Sequence, residues 1–264
     1  TETVLVSGAN GQLAKELALT VPPSVNAIFL ARDELNIGDM DSVNAAIQKY
    51  QPTAVINAAA YTAVDKAEQD LAGAESANVD GVKHLAQACG DNRYLLHIST
   101  DFVFDGTKNT PYTEKDIPNP KSVYGETKWR GEQILAEYKP NGAAIIRTSW
   151  VYSAHGANFV RSMLRFMNGR DLMRIVVDQV GTPTWAKGLA QVCWAAVAEK
   201  IEGTYHWSDA GAISWFDFAA SIQELGLEMG LLAQQSELIA IPTSGYPLPA
   251  ARPAYSVLDK TALL

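Results

Sequence analysis

The stretch TVLVSGANGQLAKELALT, residues 3–20, decides how the rest of the chain is read. TVLVSG is a short aliphatic run that ends on glycine, which suits a buried strand, and GQLAKELALT continues as a helix. Between them the spacing is G-x-x-G-x-x-A, with Gly8, Gly11 and Ala14 followed on the same helix by Lys15 and Glu16. Glycines at a strand-to-helix turn allow a tight bend and a close backbone approach. The helix start beyond them offers free N–H groups and the positive end of a dipole, a natural seat for a pyrophosphate. Ala14 stands where a third glycine often does, and it is small enough for the helix to pack closely on the strand.

The same alternation continues outward. AIFLA, TAVINAAA, YLLHIST and AAIIRTSW read as strands, and MDSVNAAIQKY, GAESANVDGVKHLAQACG and VYGETKWRGEQILAEY as the helices between them. Strand and helix in strict turn imply parallel pairing, right-handed crossovers and helices on both faces. The expected fold class is therefore α/β, a Rossmann-like doubly wound parallel sheet with a smaller C-terminal substrate-binding lobe. Beyond Trp150 the rhythm loosens: NFVRSMLRFMN and LAQVCWAAVAEK look helical, RIVVDQ and TYHWS strand-like, and IPTSGYPLPAARPAYS is proline-rich and aperiodic. The expected division is a dinucleotide-binding domain over 1–149 with a return segment near 174–203, and a discontinuous lobe over 150–264 covering the strand ends.

Bulk properties narrow the function classes. The chain has 264 residues, 47% hydrophobic and 19% charged, the balance of a folded globular protein. A net charge of −8 disfavours a nucleic-acid surface, so an anionic substrate would need local donors. No apolar run approaches a bilayer span and TETVLVSGANG carries no basic leader pattern, so the expectation is a cytoplasmic protein with no membrane partner. Cys89 and Cys193, both in apolar helical contexts, read as reduced core thiols, and no metal site is expected.

Four features bear on chemistry. In VYGETKWRGEQILAEY, residues 123–138, Tyr124 and Lys128 are four apart and so share a helix face. A phenol with a pKa near 10 is a slow acid at neutral pH, and an adjacent ammonium would lower that pKa. Ser99 and Thr100 end a strand, where a hydroxyl can donate to a carbonyl oxygen, and Ala58, Ala59 and Ala60 would let a flat cofactor lie on the backbone. The second strand ends in FLA and is followed by Arg32, suited to a ribose phosphate, which favours NADPH. Asp33 follows and could serve ribose hydroxyls instead, which leaves NADH open.

The glycine turn, NAAA, the hydroxyl pair after a strand and YxxxK together resemble the extended short-chain dehydrogenase/reductases. NAAAYTAVDKAE, STDFVFDG, YGETK, RTSWVY, GTPTW and ARP, in this order over essentially the whole chain, sharpen the resemblance to members that reduce a dTDP-linked 4-keto sugar. What it implies is hydride transfer from NADPH to the C4 ketone of dTDP-4-dehydro-L-rhamnose, giving dTDP-L-rhamnose, a step of polysaccharide precursor synthesis. Tyr124 then resembles the proton donor, Lys128 the residue holding the nicotinamide ribose, and Thr100 the hydroxyl assisting at the carbonyl. Gly8, Gly11, Gln12 and Leu13 match the pyrophosphate turn, Asp39 and Met40 the adenine surround, and Ala60, Tyr61 and Thr62 the cofactor loop. Asp101 and Trp150 match positions contacting the nucleotide sugar, Trp150 through base stacking.

For several of these a structural role stands beside the functional one. Asp39 could be only a helix cap, Trp150 only core, and Asn78 either a bridge between backbone groups near the site or an ordinary helix residue; His97 reads as a satisfied buried histidine. Some relatives hold magnesium through glutamates at a dimer interface; Glu16 could match one such ligand, but a lone Glu on a first helix is expected to be solvated. A homodimer stays open. Phe102 departs from the tyrosine frequent in the family, and the chain stops at DKTALL, earlier than the family pattern leads one to expect. Two alternatives remain. One is an epimerase or dehydratase on the same scaffold, although Asp101-Phe102 lacks the second carboxylate that water elimination needs. The other is a noncatalytic cofactor-binding regulatory subunit.

Overall fold

The computed structural model describes residues 2–264. Its first half follows the expected rhythm: β1 (Glu2–Ser7), α1 (Gln12–Leu19), β2 (Val25–Leu30), α2 (Met40–Tyr50), β3 (Ala54–Asn57), α3 (Val64–Ala67), α4 (Leu71–Glu75), α5 (Gly81–Cys89), β4 (Tyr94–Thr100), α6 (Val123–Tyr138) and β5 (Ala143–Thr148). Local chemistry sets the helix starts. Asp39 accepts from Asp41 N at 3.0 Å to cap α2, and Ser122 Oγ accepts from Gly125 N at 3.1 Å to cap α6. Between α4 and α5 the turn Ser76–Asp80 widens to a π-helix, so GAESANVDGVKHLAQACG is one helical run with a local distortion.

The second half holds β6 (Val151–Tyr152), α7 (Phe159–Met167), β7 (Leu172–Val176), β8 (Val180–Gly181), β9 (Thr184–Trp185), α8 (Ala186–Glu199), β10 (Gly203–His206), β11 (Ile213–Ser214), α9 (Trp215–Glu228) and β12 (Glu237–Ile241). The main sheet has six strands in the order β10-β5-β4-β3-β1-β2, every pairing parallel. The direction of winding reverses between β1 and β3. A cleft at the carboxyl ends of the strands follows from that reversal. Val55, Leu95 and Ile145 pack with α2, α5 and α6 on one face, while Val6, Ile56 and Ile146 pack with α1 and α8 on the other.

α8 and β10 bring the chain back onto the sheet over Ala186–His206, whereas β7, which the sequence grouped with the return segment, pairs in parallel with β12 outside it. A smaller cluster of Met163, Met167, Met173, Phe218 and Ile222 joins α7, α9 and β7 into their own layer. α9 and β12 were not read from the sequence. No helix of the described residues is long and apolar enough to cross a membrane.

Candidate active site

The loops that leave β1, β2, β3, β4 and β5 meet over one cleft of about 1090 Å³. Gly8, Gly11, Gln12, Leu13, Arg32, Ala60, Tyr61, Thr62, Thr100, Asp101, Tyr124, Lys128 and Trp150 all line it. Asp39 and Met40 do not, and Asp39 serves as the α2 cap.

The glycine turn is built to hold a backbone close. Gly8 has φ +75°, and a Cβ there would stand 2.9 Å from Ala59 N and Cα. Only glycine adopts that conformation with the Ala58–Ala59 backbone so near. Gly11 is the N-cap of α1 and makes no side-chain cap, so the first N–H groups of that helix remain available. The residues therefore suit a dinucleotide: free N–H groups at one end, small residues along the floor, and Arg32 exposed at the far end.

Asn78 settles between its two readings as the bridge. It is 1% exposed, accepts from Tyr61 N at 2.9 Å, and donates to Tyr61 O and to Thr127 Oγ1, each at 3.1 Å. One side chain thus ties the Ala60–Thr62 loop to α6. Gly131 on α6 lets the helix sit against Asn78 O, since a Cβ there would collide with that oxygen.

Tyr124 and Lys128 face the cleft together, but the phenol is not drawn down as expected. Lys128 is buried and donates its Nζ proton to Ile98 O at 2.6 Å. Burial pulls its ammonium down to about 8, with Glu132 one turn further on opposing the fall. Burial pushes the Tyr124 phenol up to about 12; Thr100 restrains the rise and the Asp101 carboxylate adds to it. Desolvation is the largest cause of both shifts, and it carries the phenol the opposite way from the fall expected of it. The phenol therefore holds its proton at neutral pH.

Thr100 Oγ1 accepts from Phe102 N and donates to Asp101 Oδ1, both at 3.1 Å. Asp101 is 2% exposed, and burial pushes its carboxyl up to about 7 against the pull of Ser256 and Thr100. Phe102, the departure from the family's tyrosine, sets its ring edge-on to Tyr124 with centroids 5.7 Å apart.

Trp150 departs from the expectation of an indole open to a base. Its backbone has φ +46°, and its ring lies flat on Trp215 with centroids 3.5 Å apart and planes 10° from parallel. A methyl on Gly181 would fall 2.6 Å from Trp150 Cε2, so that backbone covers the indole as well. His97 is only half satisfied: Nδ1 meets Asn57 Nδ2 at 3.1 Å while Nε2 is buried without a partner. Glu16, expected in solvent, is 6% exposed, with His155 Nε2 3.7 Å from its Oε1.

A family model described as RmlD substrate binding domain matches residues 2–264. The chain belongs to that family. Within it, a dTDP-4-dehydrorhamnose reductase of Aggregatibacter actinomycetemcomitans is 41% identical over 98% of this chain and 91% of its own length. One from Burkholderia thailandensis is 42% identical over the same shares. Among solved structures, the dTDP-4-dehydrorhamnose reductase of Bacillus anthracis in complex with NADP superimposes with a TM-score of 0.94 at 34% identity, covering 100% of this chain and 92% of that one.

Sequence reasoning missed several residues that the family fold brings together. Trp215 and Phe159 line the cleft from α9 and α7, and Lys66 and Arg252 from α3 and the C-terminal tail. The signal for α9 was present: Ser214 and Asp217 form a capping box, an S-x-x-D ahead of an apolar run. Behind the cleft, Glu132 and Arg147 form a buried ion pair with Nη2 to Oε2 at 2.6 Å, and Ser99 Oγ donates to Glu132 Oε1. Single residues spread over α6, β4 and β5 leave no local pattern for this network.

Proposed function

We propose that this chain reduces the C4 ketone of dTDP-4-dehydro-L-rhamnose to dTDP-L-rhamnose, with NADPH as the reductant. The observation that carries the reading is the convergence of Thr100, Tyr124 and Lys128 on the floor of a cleft whose glycine turn suits a dinucleotide. Gly8, Gly11, Gln12 and Leu13 would hold the pyrophosphate, Arg32 the ribose phosphate, Ala60 to Thr62 the inner wall, and Lys128 the nicotinamide ribose. Asp39 and Met40, at the start of α2, keep a part near the adenine in this reading. NADPH, when bound, supplies a hydride.

The rest of the chemistry falls to side chains. The Tyr124 hydroxyl gives its proton to the ketone oxygen as the C4–H bond forms, so the carbonyl becomes a secondary alcohol. Burial keeps the proton on the phenol at neutral pH but also weakens it as an acid, so the help of Thr100 at the same oxygen matters the more. Thr100 donates a hydrogen bond to the same oxygen and stabilises its developing charge. For that it must turn its hydroxyl from Asp101, and a carboxyl with a pKa near 7 holds it less firmly once protonated. Asp101 and Trp150 would contact the nucleotide sugar, each where it lines the cleft.

The division of labour follows the layers, with the six-stranded sheet as cofactor domain and the α7, α9 and β7–β12 layer as substrate lobe. A cytoplasmic location and a homodimer belong to the same reading; light scattering on the purified protein tests the second. The function itself is tested by following NADPH oxidation with dTDP-4-dehydro-L-rhamnose beside UDP- and GDP-linked 4-keto sugars. Turnover with the dTDP sugar supports the reading, and turnover confined to another base overturns the substrate.

A further inference from the structure

A protein with a net charge of −8 must gather cations locally to hold a nucleoside diphosphate. The cleft lining offers Arg32, Lys66, Lys128 and Arg252. Lys128 is buried on the floor beside Ile98 O, where the proposed function gives it the nicotinamide ribose, and Arg32 sits beyond β2 at the cofactor end. Lys66 and Arg252 remain, on the rim made by α3 and the proline-rich tail.

Arg252 is held in an unusual way for a rim residue. Nη1 donates to Asp65 Oδ1 at 2.9 Å and Nη2 to Asp65 Oδ2 at 2.7 Å, an end-on fork, while Nη1 also donates to Ala250 O at 2.9 Å. Ala250 N donates to Asp65 Oδ1 in turn. A guanidinium carries five N–H donors, and this clamp uses three. The side-on fork, Nε–H with the second Nη2–H, has no partner among the described residues. Two parallel donors of fixed direction match two phosphate oxygens.

The tail around it is anchored. Gly106, at φ +79°, lets Pro253 and Ala254 pack so closely that a Cβ would fall 2.7 Å from each. Ser256, four residues beyond Arg252, stands beside Asp101 at the floor of the site. Four residues of extended chain span at most about 14 Å, so the backbone at Arg252 is tied near the floor, and its side chain lines the same cleft as Thr100 and Tyr124. Lys66 follows Asp65 in the chain, lines the same cleft, and makes no ion pair among the described residues.

We propose that Arg252, clamped by Asp65 and assisted by Lys66, is the recognition site for the diphosphate of the nucleotide-sugar substrate. Asp65 is a positioning residue: it fixes the plane of the guanidinium and leaves the side-on fork turned to the ligand. The inference rests on the function proposed above but is tested apart from it, by binding rather than turnover.

The experiment is calorimetric titration of dTDP, thymidine and NADP+ into wild type, Arg252→Lys and Lys66→Gln. Wild type is expected to prefer dTDP to thymidine strongly. Arg252→Lys, which keeps the charge but loses the fork, should weaken dTDP by about tenfold or more and leave thymidine and NADP+ within about twofold. Lys66→Gln leaves the Asp65 clamp untouched and should weaken dTDP several-fold in the same selective way. Unchanged dTDP affinity in both variants overturns the proposal. So does an equal loss for all three ligands, which would mark Arg252 as a mere strap for the tail. A parallel titration of UDP separates the base from the fork: a wild type that prefers UDP to dTDP overturns the base assignment alone, and the same variants are then read with UDP and uridine.

Discussion

Replacing Glu132 by glutamine should cost the fold far more than the loss of one hydrogen bond. The carboxylate is 1% exposed and accepts from Arg147 Nε at 3.0 Å, from Arg147 Nη2 at 2.6 Å and from Ser99 Oγ at 2.5 Å. Arg147 is 3% exposed, and its remaining contacts cannot neutralise it: His206 Nε2 accepts from Nη1 at 3.3 Å, and the Phe104 ring lies 5.1 Å away. Glutamine would leave a buried guanidinium without a counter-charge, at a cost of about 3–5 kcal/mol. The double replacement Glu132→Leu with Arg147→Met removes both charges and should recover most of that loss. Urea unfolding of wild type, Glu132→Gln, the singles Glu132→Leu and Arg147→Met, and the double variant reads the difference. A single-variant loss below about 1 kcal/mol, or a double loss equal to the sum of the singles, would refute the reasoning, since surface pairs behave that way. The pair also locks α6, which carries Tyr124 and Lys128, to β4 and β5. Activity should therefore fall with stability.

Three further outcomes follow. Tyr124→Phe should lower kcat roughly 100-fold or more while NADP+ affinity stays unchanged, measured by single-turnover kinetics and titration. Arg32→Ala should raise the KM for NADPH by about tenfold and spare NADH; equal effects on both would remove Arg32 from the ribose phosphate. Stability should rise between pH 5 and 6. In that window the unfolded chain protonates His97 and His206, which burial keeps neutral in the fold with His206 drawn down to about 4, whereas Asp101, raised to about 7, keeps its proton only when folded. The unfolded state then binds about one extra proton, a slope of about +1.4 kcal/mol per pH unit, and His206→Asn should flatten it in denaturation curves at pH 5 and 6.

The sheet was legible because parallel strands buried on both faces write themselves as short aliphatic runs. Val4 to Val6, Val55 to Ile56 and Ile145 to Ile146 each carry that mark. The cleft floor was legible for a related reason: its residues lie just after those strands, so order along the chain translates into place. What did not translate was direction and distance. The spacing of Tyr124 and Lys128 gave a shared face, but the target of the ammonium, Ile98 O, belongs to a strand 30 residues earlier. Trp150 reads as an aromatic after a strand, while its partner Trp215 arrives from a helix whose only advance notice is a capping box. Arg252 was marked only by the short motif ARP in an aperiodic tail, where hydrophobic patterning carries no information, and its anchor, Asp65, lies 187 residues away.

The most direct measurement uses NADPH carrying deuterium at the transferable position of nicotinamide C4, incubated with the protein and dTDP-4-dehydro-L-rhamnose. Mass spectrometry and NMR of the product should find one deuterium, bound to carbon 4 of the rhamnose, in wild type and almost none over the same interval in Tyr124→Phe. Deuterium at another carbon, or equal incorporation by the two proteins, would contradict a cleft in which the phenol delivers the proton to a C4 alkoxide.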